Sequence, residues 1–213
     1  MSASVYFVSG IDTGIGKTYA TGYLAKLWNT QGKSTITQKL IQTGNVDESE
    51  DIEKHREIMG TGWLPEDLEK LTMPEIFSYP ASPHLATQLD GRDIDFEKIE
   101  KATEILQQRF DVVLLEGAGG LMVPLTTELL TIDYIAQKKL PVILVSSGRL
   151  GSINHTLLSL EALKQRGLSL FALAYNLNDE SQDEIISKDT ARYLKNYLKQ
   201  YFSEAKWIDI PKL

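Results

Sequence analysis

Between the apolar run Val5 to Val8 and an amphipathic stretch beginning at Lys17 lies Gly10-Ile11-Asp12-Thr13-Gly14-Ile15-Gly16-Lys17-Thr18. A glycine-rich turn from strand to helix aims backbone N–H groups at phosphate oxygens, and the helix N-terminus adds a favourable dipole. The Lys17 ammonium then offers a point charge to the β- and γ-phosphates, and the Thr18 hydroxyl a ligand for Mg2+. Strict spacing of such loops puts glycine at position 11, where this chain has Ile11, with Gly10 one residue earlier. A magnesium centre also needs carboxylates. Glu116 follows the apolar run Val112–Leu115 and precedes Gly117-Ala118-Gly119-Gly120. It therefore stands at the carboxyl end of a buried strand, beside residues small enough to admit a ligand closely. Asp51, within Glu48-Ser49-Glu50-Asp51-Ile52, is a second candidate, although by spacing alone it reads as a solvated helix start.

The elements that must hold these residues alternate along the chain. Strand-like runs are Val5–Ser9, Thr35–Lys39, Asp111–Glu116, Pro141–Ser146, Leu168–Asn176 and Trp207–Ile210. Helical patterns cover Lys17–Gln31, Phe96–Phe110, Thr131–Lys139, Ser152–Arg166 and Gln182–Tyr201. Val112–Leu115 and Val142–Val145 are apolar throughout, as strands covered on both faces are. The expected fold is α/β and doubly wound, a mainly parallel sheet with helices on both faces, of the P-loop NTPase type, and residues 1–213 read as one domain. Residues 45–91, rich in glycine and proline, read as an irregular excursion at the sheet's carboxyl edge.

Composition removes several classes of chemistry. With no cysteine, disulfides, thiolate catalysis, iron–sulfur clusters and zinc–thiolate sites are excluded. The 3 histidines, His55, His84 and His155, suggest no imidazole metal cluster, and His84 and His155 read as structural partners in tight turns. A formal charge of −7 with no basic stripe argues against nucleic acid or an anionic membrane as partner. No stretch approaches the length of a membrane span, so the expectation is a cytoplasmic protein.

Over nearly its whole length the chain resembles the dethiobiotin synthetase family, the ATP-dependent ligases of biotin biosynthesis. The family's loop has the same longer spacing as Gly10–Thr18. Glu116-Gly117-Ala118-Gly119-Gly120 matches its Glu-Gly-Ala-Gly-Gly, Ser82-Pro83-His84 its Ser-Pro-His, and Gly151-Ser152-Ile153-Asn154-His155 its Gly-x-Ile-Asn-His. Lys39-Leu40-Ile41-Gln42-Thr43-Gly44 keeps the lysine, hydroxyl and glycine of Lys-Pro-Val-x-[Ser/Thr]-Gly but replaces its proline and valine. Leu177 stands where aspartate is common, and the helix that usually follows Ile210-Pro211-Lys212 has no counterpart. These departures leave open a diverged paralogue acting on another amine.

The resemblance implies ring closure. CO2 adds to one amine of 7,8-diaminononanoate, the carbamate attacks the γ-phosphate of ATP, and the second amine displaces phosphate from the mixed anhydride. It implies catalytic roles for Lys17 and Lys39, and Mg2+ on Thr18, Asp51 and Glu116. ATP is implied to lie on Gly14, Ile15, Gly16, Lys17, Thr18, Tyr19, Asp51, Glu116, Gly117, Ala118 and Gly119, with Asn176, Leu177, Ile210, Pro211 and Lys212 around the adenine. Thr13, Lys39, Thr43 and Ser82 are implied to face the diamine or carbamate. Its carboxylate tail would be held by Ser152, Ile153 and Asn154 of a second subunit, which implies a homodimer with the site at its interface. On sequence grounds alone, Lys39 reads as a solvated strand-end lysine and Asn154 as a helix cap. A P-loop switch or partition ATPase is the competing class. Such proteins usually carry lysine directly after the first glycine of the loop, where this chain has Ile11.

Overall fold

The computed structural model describes residues 4–178 and 183–212. Strand β1 (Ser4–Gly10) leads through the glycine-rich loop into helix α1 (Lys17–Thr30), then β2 (Thr35–Lys39). The chain continues through β3 (Gln42–Thr43), α2 (Glu50–Met59), α3 (Pro65–Leu68), β4 (Ile76–Phe77), α4 (Pro83–Asp90), α5 (Phe96–Arg109) and β5 (Val112–Gly120). The second half alternates α6 (Thr131–Lys138), β6 (Val142–Ser147), α7 (Ser152–Gln165), β7 (Leu170–Asn176), α8 (Glu184–Tyr201) and β8 (Lys206–Ile210). Gln182, where the last helix was expected to begin, lies outside the described residues.

Six strands form one sheet in the order β2-β5-β1-β6-β7-β8, and every pairing is parallel. The α/β reading of the sequence is borne out. Side-chain alternation divides the core into two layers. Phe7, Leu115, Leu144 and Leu173 point to the side covered by α5, α6, α7 and α8, through residues such as Ile99, Ile135, Leu160 and Leu194. Val8, Leu114, Ile143 and Val145 point to the opposite side, against Ala20 and Leu24 of α1. These central strands are covered on both faces, which is why they read as unbroken apolar runs.

The connections then place the site. From β1 the chain passes to β2 on one side, returns to fill β5 between them, and crosses to β6 on the other side. The carboxyl ends of β1, β2 and β5 meet at this reversal, where open α/β sheets hold their ligands. Register puts Lys39 opposite Glu116, and Gly10 opposite Gly120. The excursion expected to be irregular contains α2, α3, β4 and α4, and its β4 pairs in parallel with β3, just before it, as a second, two-stranded sheet. Helix α2 packs on α1 and β2, so it faces the site directly.

Candidate functional site

The phosphate loop is held from below and from the side. Ile15 is fully buried and anchors it in the α1 layer of the core. Gly16, the N-cap of α1, has φ +94°, and a Cβ there would lie 2.2 Å from Asn176 Nδ2. Both the left-handed backbone and the close approach demand glycine. Asn176 in turn donates from Nδ2 to the Ile15 carbonyl at 3.0 Å, so the end of β7 braces the loop. Arg149, after β6, reaches Asp12 Oδ2 at 2.5 Å from the other flank.

Four charged groups and a hydroxyl converge where α1 begins. Thr18 Oγ1 donates to Asp51 Oδ1 at 2.6 Å and lies 3.4 Å from Glu116 Oε1. Lys39 Nζ sits between the two carboxylates, 2.5 Å from Asp51 Oδ2 and 2.8 Å from Glu116 Oε1. Lys17, first residue of α1 and also buried, turns its ammonium back over the loop toward the Asp12 carbonyl at 3.4 Å. Burial works against charge at each of these groups. At Glu116 the neighbouring Lys39 and His55 outweigh it and hold the carboxyl far below the usual range. At Lys39, burial is likewise overcome by Glu116 and Asp51, which raise its pKa. At Lys17 burial prevails and the pKa falls, pressed further by Lys39 against the pull of Glu116 and Asp51.

Local structure explains why Asp51 arrives here. Ser49 caps α2, its Oγ accepting from the Ile52 N–H at 3.2 Å and donating to Gln42 Oε1 at 2.6 Å. The short strand β3 thus fixes the start of α2, and the acidic first turn that looked solvated is turned inward at Asp51. Leu40, where the family pattern has proline, donates its N–H to the Glu116 carbonyl at 2.9 Å. Proline has no N–H to give, so the replacement extends the β2–β5 ladder by one bond.

A cavity of about 390 Å³ opens over these groups, lined by Thr13, Gly14, Gly16, Lys17, Thr18, Tyr19, Lys39, Thr43, Asp51, Glu116, Ala118 and Gly119 among others. A second, of about 420 Å³, shares Thr13, Thr43, Ala118 and Gly119 with it and is closed by residues 80–83, Ser82 included. The two spaces adjoin along the phosphate loop. Gly117 is buried, with Phe7 where its Cβ would be, and its carbonyl accepts from Lys39 Nζ at 3.3 Å.

Other expected residues stand apart from both cavities. Leu177 donates its N–H to the Ile210 carbonyl at 2.9 Å, and Asn178 Nδ2 reaches the Pro211 carbonyl at 2.5 Å. With Asn176 they make a block at the ends of β7 and β8 that touches the loop through Gly16, and Lys212 is exposed beside it. Ser152 is buried, Ile153 half-buried and Asn154 exposed in the first turn of α7. Gly151 is the cap of that helix, so Asn154 does not cap it. His84 Nδ1 pairs with Ser82 Oγ at 3.0 Å, while His155 lies exposed within α7 rather than in a turn.

Sequence reasoning missed His55. It is fully buried and sits 2.9 Å from Glu116 Oε2. Its spacing of four from Asp51 puts both on one face of α2, a signal available once the helix is recognised.

A family model described as an AAA domain matches residues 4–200. The chain is 52% identical over 199 residues to ATP-dependent dethiobiotin synthetase BioD 2 of Pasteurella multocida (strain Pm70), covering 93% of each. It is 51% identical over 211 residues to ATP-dependent dethiobiotin synthetase BioD of Chlorobaculum tepidum, covering 99% of this chain and 88% of that one. Among solved structures, the signal recognition particle receptor FtsY from Elizabethkingia anophelis superposes with a TM-score of 0.57 at 17% identity, over 100% of this chain and 58% of that one. The MinC:MinD complex of Aquifex aeolicus gives a TM-score of 0.54 at 16% identity, over 99% of this chain and 82% of that one. At such identities the two structures share the fold alone.

Proposed function

This chain belongs to the ATP-dependent dethiobiotin synthetase family, and from that premise we propose how residues 1–213, as one ligase domain, close a cyclic urea on 7,8-diaminononanoate. The observation that carries the reading is the placement of Lys39. It lines the cavity over the phosphate loop, which adjoins the second cavity, and its ammonium is held by Asp51 and Glu116.

ATP lies with its phosphates over Gly14–Tyr19, its adenine toward Asn176, Leu177 and Ile210–Lys212. The loop N–H groups and Lys17 hold the β- and γ-phosphates. The diamine fills the neighbouring cavity, with the hydroxyls of Thr13, Thr43 and Ser82 available to orient its amines and the carbamate that CO2 forms on one of them. Carbamate and γ-phosphate are both anions, so their approach depends on fixed positive charge, and phosphoryl transfer asks little else of a protein beyond positioning. Lys39 and Lys17 supply that charge from sites that need no rearrangement of solvent. The carbamate oxygen takes the γ-phosphoryl group as ADP leaves, and the second amine then displaces phosphate from the mixed anhydride and closes the ring.

The residues present suit Mg2+. Thr18, Asp51 and Glu116 offer hard oxygens that converge within hydrogen-bonding reach, and the pair of carboxylates already holds one cation, the Lys39 ammonium. No group of three or more His, Cys, Asp or Glu is gathered for a metal among the described residues. Mg2+ held there would neutralise phosphate charge.

A homodimer completes the site in this reading. Asn154 is exposed and lines neither cavity of its own chain, and Leu150 and Leu158, four residues to either side, are 82% and 62% exposed. Leu158 lies one turn from Asn154 on α7 and Leu150 just before that helix, so the exposed amide has exposed apolar residues near it in the chain, suited to a second copy whose diamine tail Asn154 would bind. No described helix is long and apolar enough to cross a membrane.

The test is incubation with the diamine, Mg-ATP and labelled bicarbonate. Diamine-dependent, acid-stable label in a cyclic urea, with ADP formed alongside, supports the reading. ATP turnover with no label incorporated refutes it.

A further inference from the structure

Behind Glu116 runs a buried line of polar groups that the ligase reaction as described does not use. Glu116 Oε2 lies 2.9 Å from His55 Nε2, and His55 Nδ1 lies 3.0 Å from Thr37 Oγ1. Thr37 Oγ1 accepts from Arg56 at 2.9 Å, and Arg56 grips Asp67 with Nε and a terminal nitrogen, each at 2.8 Å. His55 and Thr37 are fully buried, and Glu116, Asp67 and Arg56 are no more than 2% exposed.

The chemistry of these groups gives the line a direction. A guanidinium only donates, so Thr37 Oγ1 accepts from Arg56. The threonine's own hydrogen is then free to be donated to His55 Nδ1. An ionised carboxylate only accepts, so His55 Nε2 carries a proton and donates it to Glu116 Oε2. The tautomer of a histidine is set by the partner of its other nitrogen, and here that partner is itself fixed by an ion pair.

We infer that His55 is a positioning residue for Glu116. By occupying Oε2 it leaves Oε1 alone facing Thr18, Lys39 and the cavity. A carboxylate restricted to one oxygen suits a small cation that demands a near-ideal octahedral shell, such as Mg2+. It offers less to Ca2+, whose looser shell can use both oxygens of a carboxylate. The inference rests on the reading of Thr18, Asp51 and Glu116 as cation ligands.

Two conservative variants separate this role from packing. In His55→Gln the amide reaches the place of Nε2 and still donates to Glu116. In His55→Asn it reaches only the place of Nδ1 and stops short. Mn2+ is titrated into the enzyme holding ADP and followed by electron paramagnetic resonance, with thermal unfolding recorded for each variant. Loss of an outer partner of a metal ligand weakens metal binding by about 10–100-fold. That loss is expected for His55→Asn, with Ca2+ displacing Mn2+ more readily than in wild type, while His55→Gln retains most of the affinity. Mn2+ binding unchanged in both variants, or weakened equally in both, overturns the assignment. Glu116→Gln is the control for the underlying site. If it leaves Mn2+ binding untouched, the cation site is misplaced and the role of His55 falls with it. If Glu116→Gln weakens binding and His55→Asn does not, only the positioning role fails.

Discussion

Replacing Lys39 with methionine keeps most of the side-chain stem and removes the charge. In the folded protein that charge is 4% exposed and contacts Asp51 at 2.5 Å and Glu116 at 2.8 Å. Breaking a buried pair by deleting one partner costs about 3–5 kcal/mol. The lower end applies here, because Glu116 keeps its bond to His55 and the Asp51 side chain is 25% exposed. For a chain of this size about 3 kcal/mol corresponds to a fall in Tm of roughly 6–12 °C. Mg2+ should restore more of that loss in Lys39→Met than it adds to wild type, since a cation again stands between the two carboxylates. Activity should fall further than stability suggests. Removing one preorganised charge contact lowers kcat by about 10²–10³-fold. The assay is cyclic-urea formation from labelled bicarbonate under saturating diamine and ATP, run below the variant's Tm. A kcat close to wild type, together with an unchanged Tm, would return Lys39 to the solvated strand-end lysine that its type alone suggests.

Gly16→Ala forces a side chain onto φ +94° and against Asn176. Left-handed strain of about 1–2 kcal/mol plus that clash should weaken nucleotide binding by at least about tenfold, and calorimetry giving wild-type affinity would contradict the bracing of the loop. Asp67 is pushed toward neutrality by burial, but bonds from Arg56, Thr72 and the Leu64 N–H hold its pKa below 3.8. Its contribution to stability is therefore full above that pH and is lost as pH falls through the folded value. Asp67→Asn should cost about 3–5 kcal/mol near neutrality and flatten the acid limb of stability against pH; urea midpoints that fall as steeply as in wild type would refute this. Asn154→Ala should raise KM for the diamine with kcat nearly unchanged, the mark of lost uniform binding, and an unaltered KM removes its role in holding the tail.

Much of the fold was legible because the central strands and α1 obey simple rules. Unbroken apolar runs marked β5 and β6, and the loop's glycines marked the β1–α1 turn. β5 was expected to stop at Glu116, yet it runs to Gly120. Glycine is a poor strand former, but β1 lies alongside and pairs Gly10 with Gly120, so the neighbouring strand overrides local preference. Helix α2, beyond its start at Asp51, went unread for a different reason. Its buried face is Ile52, His55, Arg56 and Ile58, half of it polar, so no apolar stripe betrays it. The Ser49 cap, the acidic first turn and Gly60 after the end were the readable signals. The same face explains why His55 escaped notice. Its partner, Glu116, is 61 residues away, and only the packing of α2 on β2 brings them together. Lys17, Thr18 and Glu116 were visible from local pattern, whereas Lys39 and Asp51 became site residues only through resemblance. A lysine at a strand end and an acid in a first turn are common on any surface.

In the proposed reaction the terminal phosphate of ATP meets the carbamate beside Lys39. A crystal structure with the diamine, bicarbonate, Mg2+ and a non-hydrolysable ATP analogue tests it most directly. The γ-phosphate should lie between Lys17 and Lys39, with the carbamate in the adjoining cavity near Thr13 and Thr43. A nucleotide bound away from the Gly14–Thr18 turn, or a diamine seated where Lys39 cannot reach it, would contradict the account.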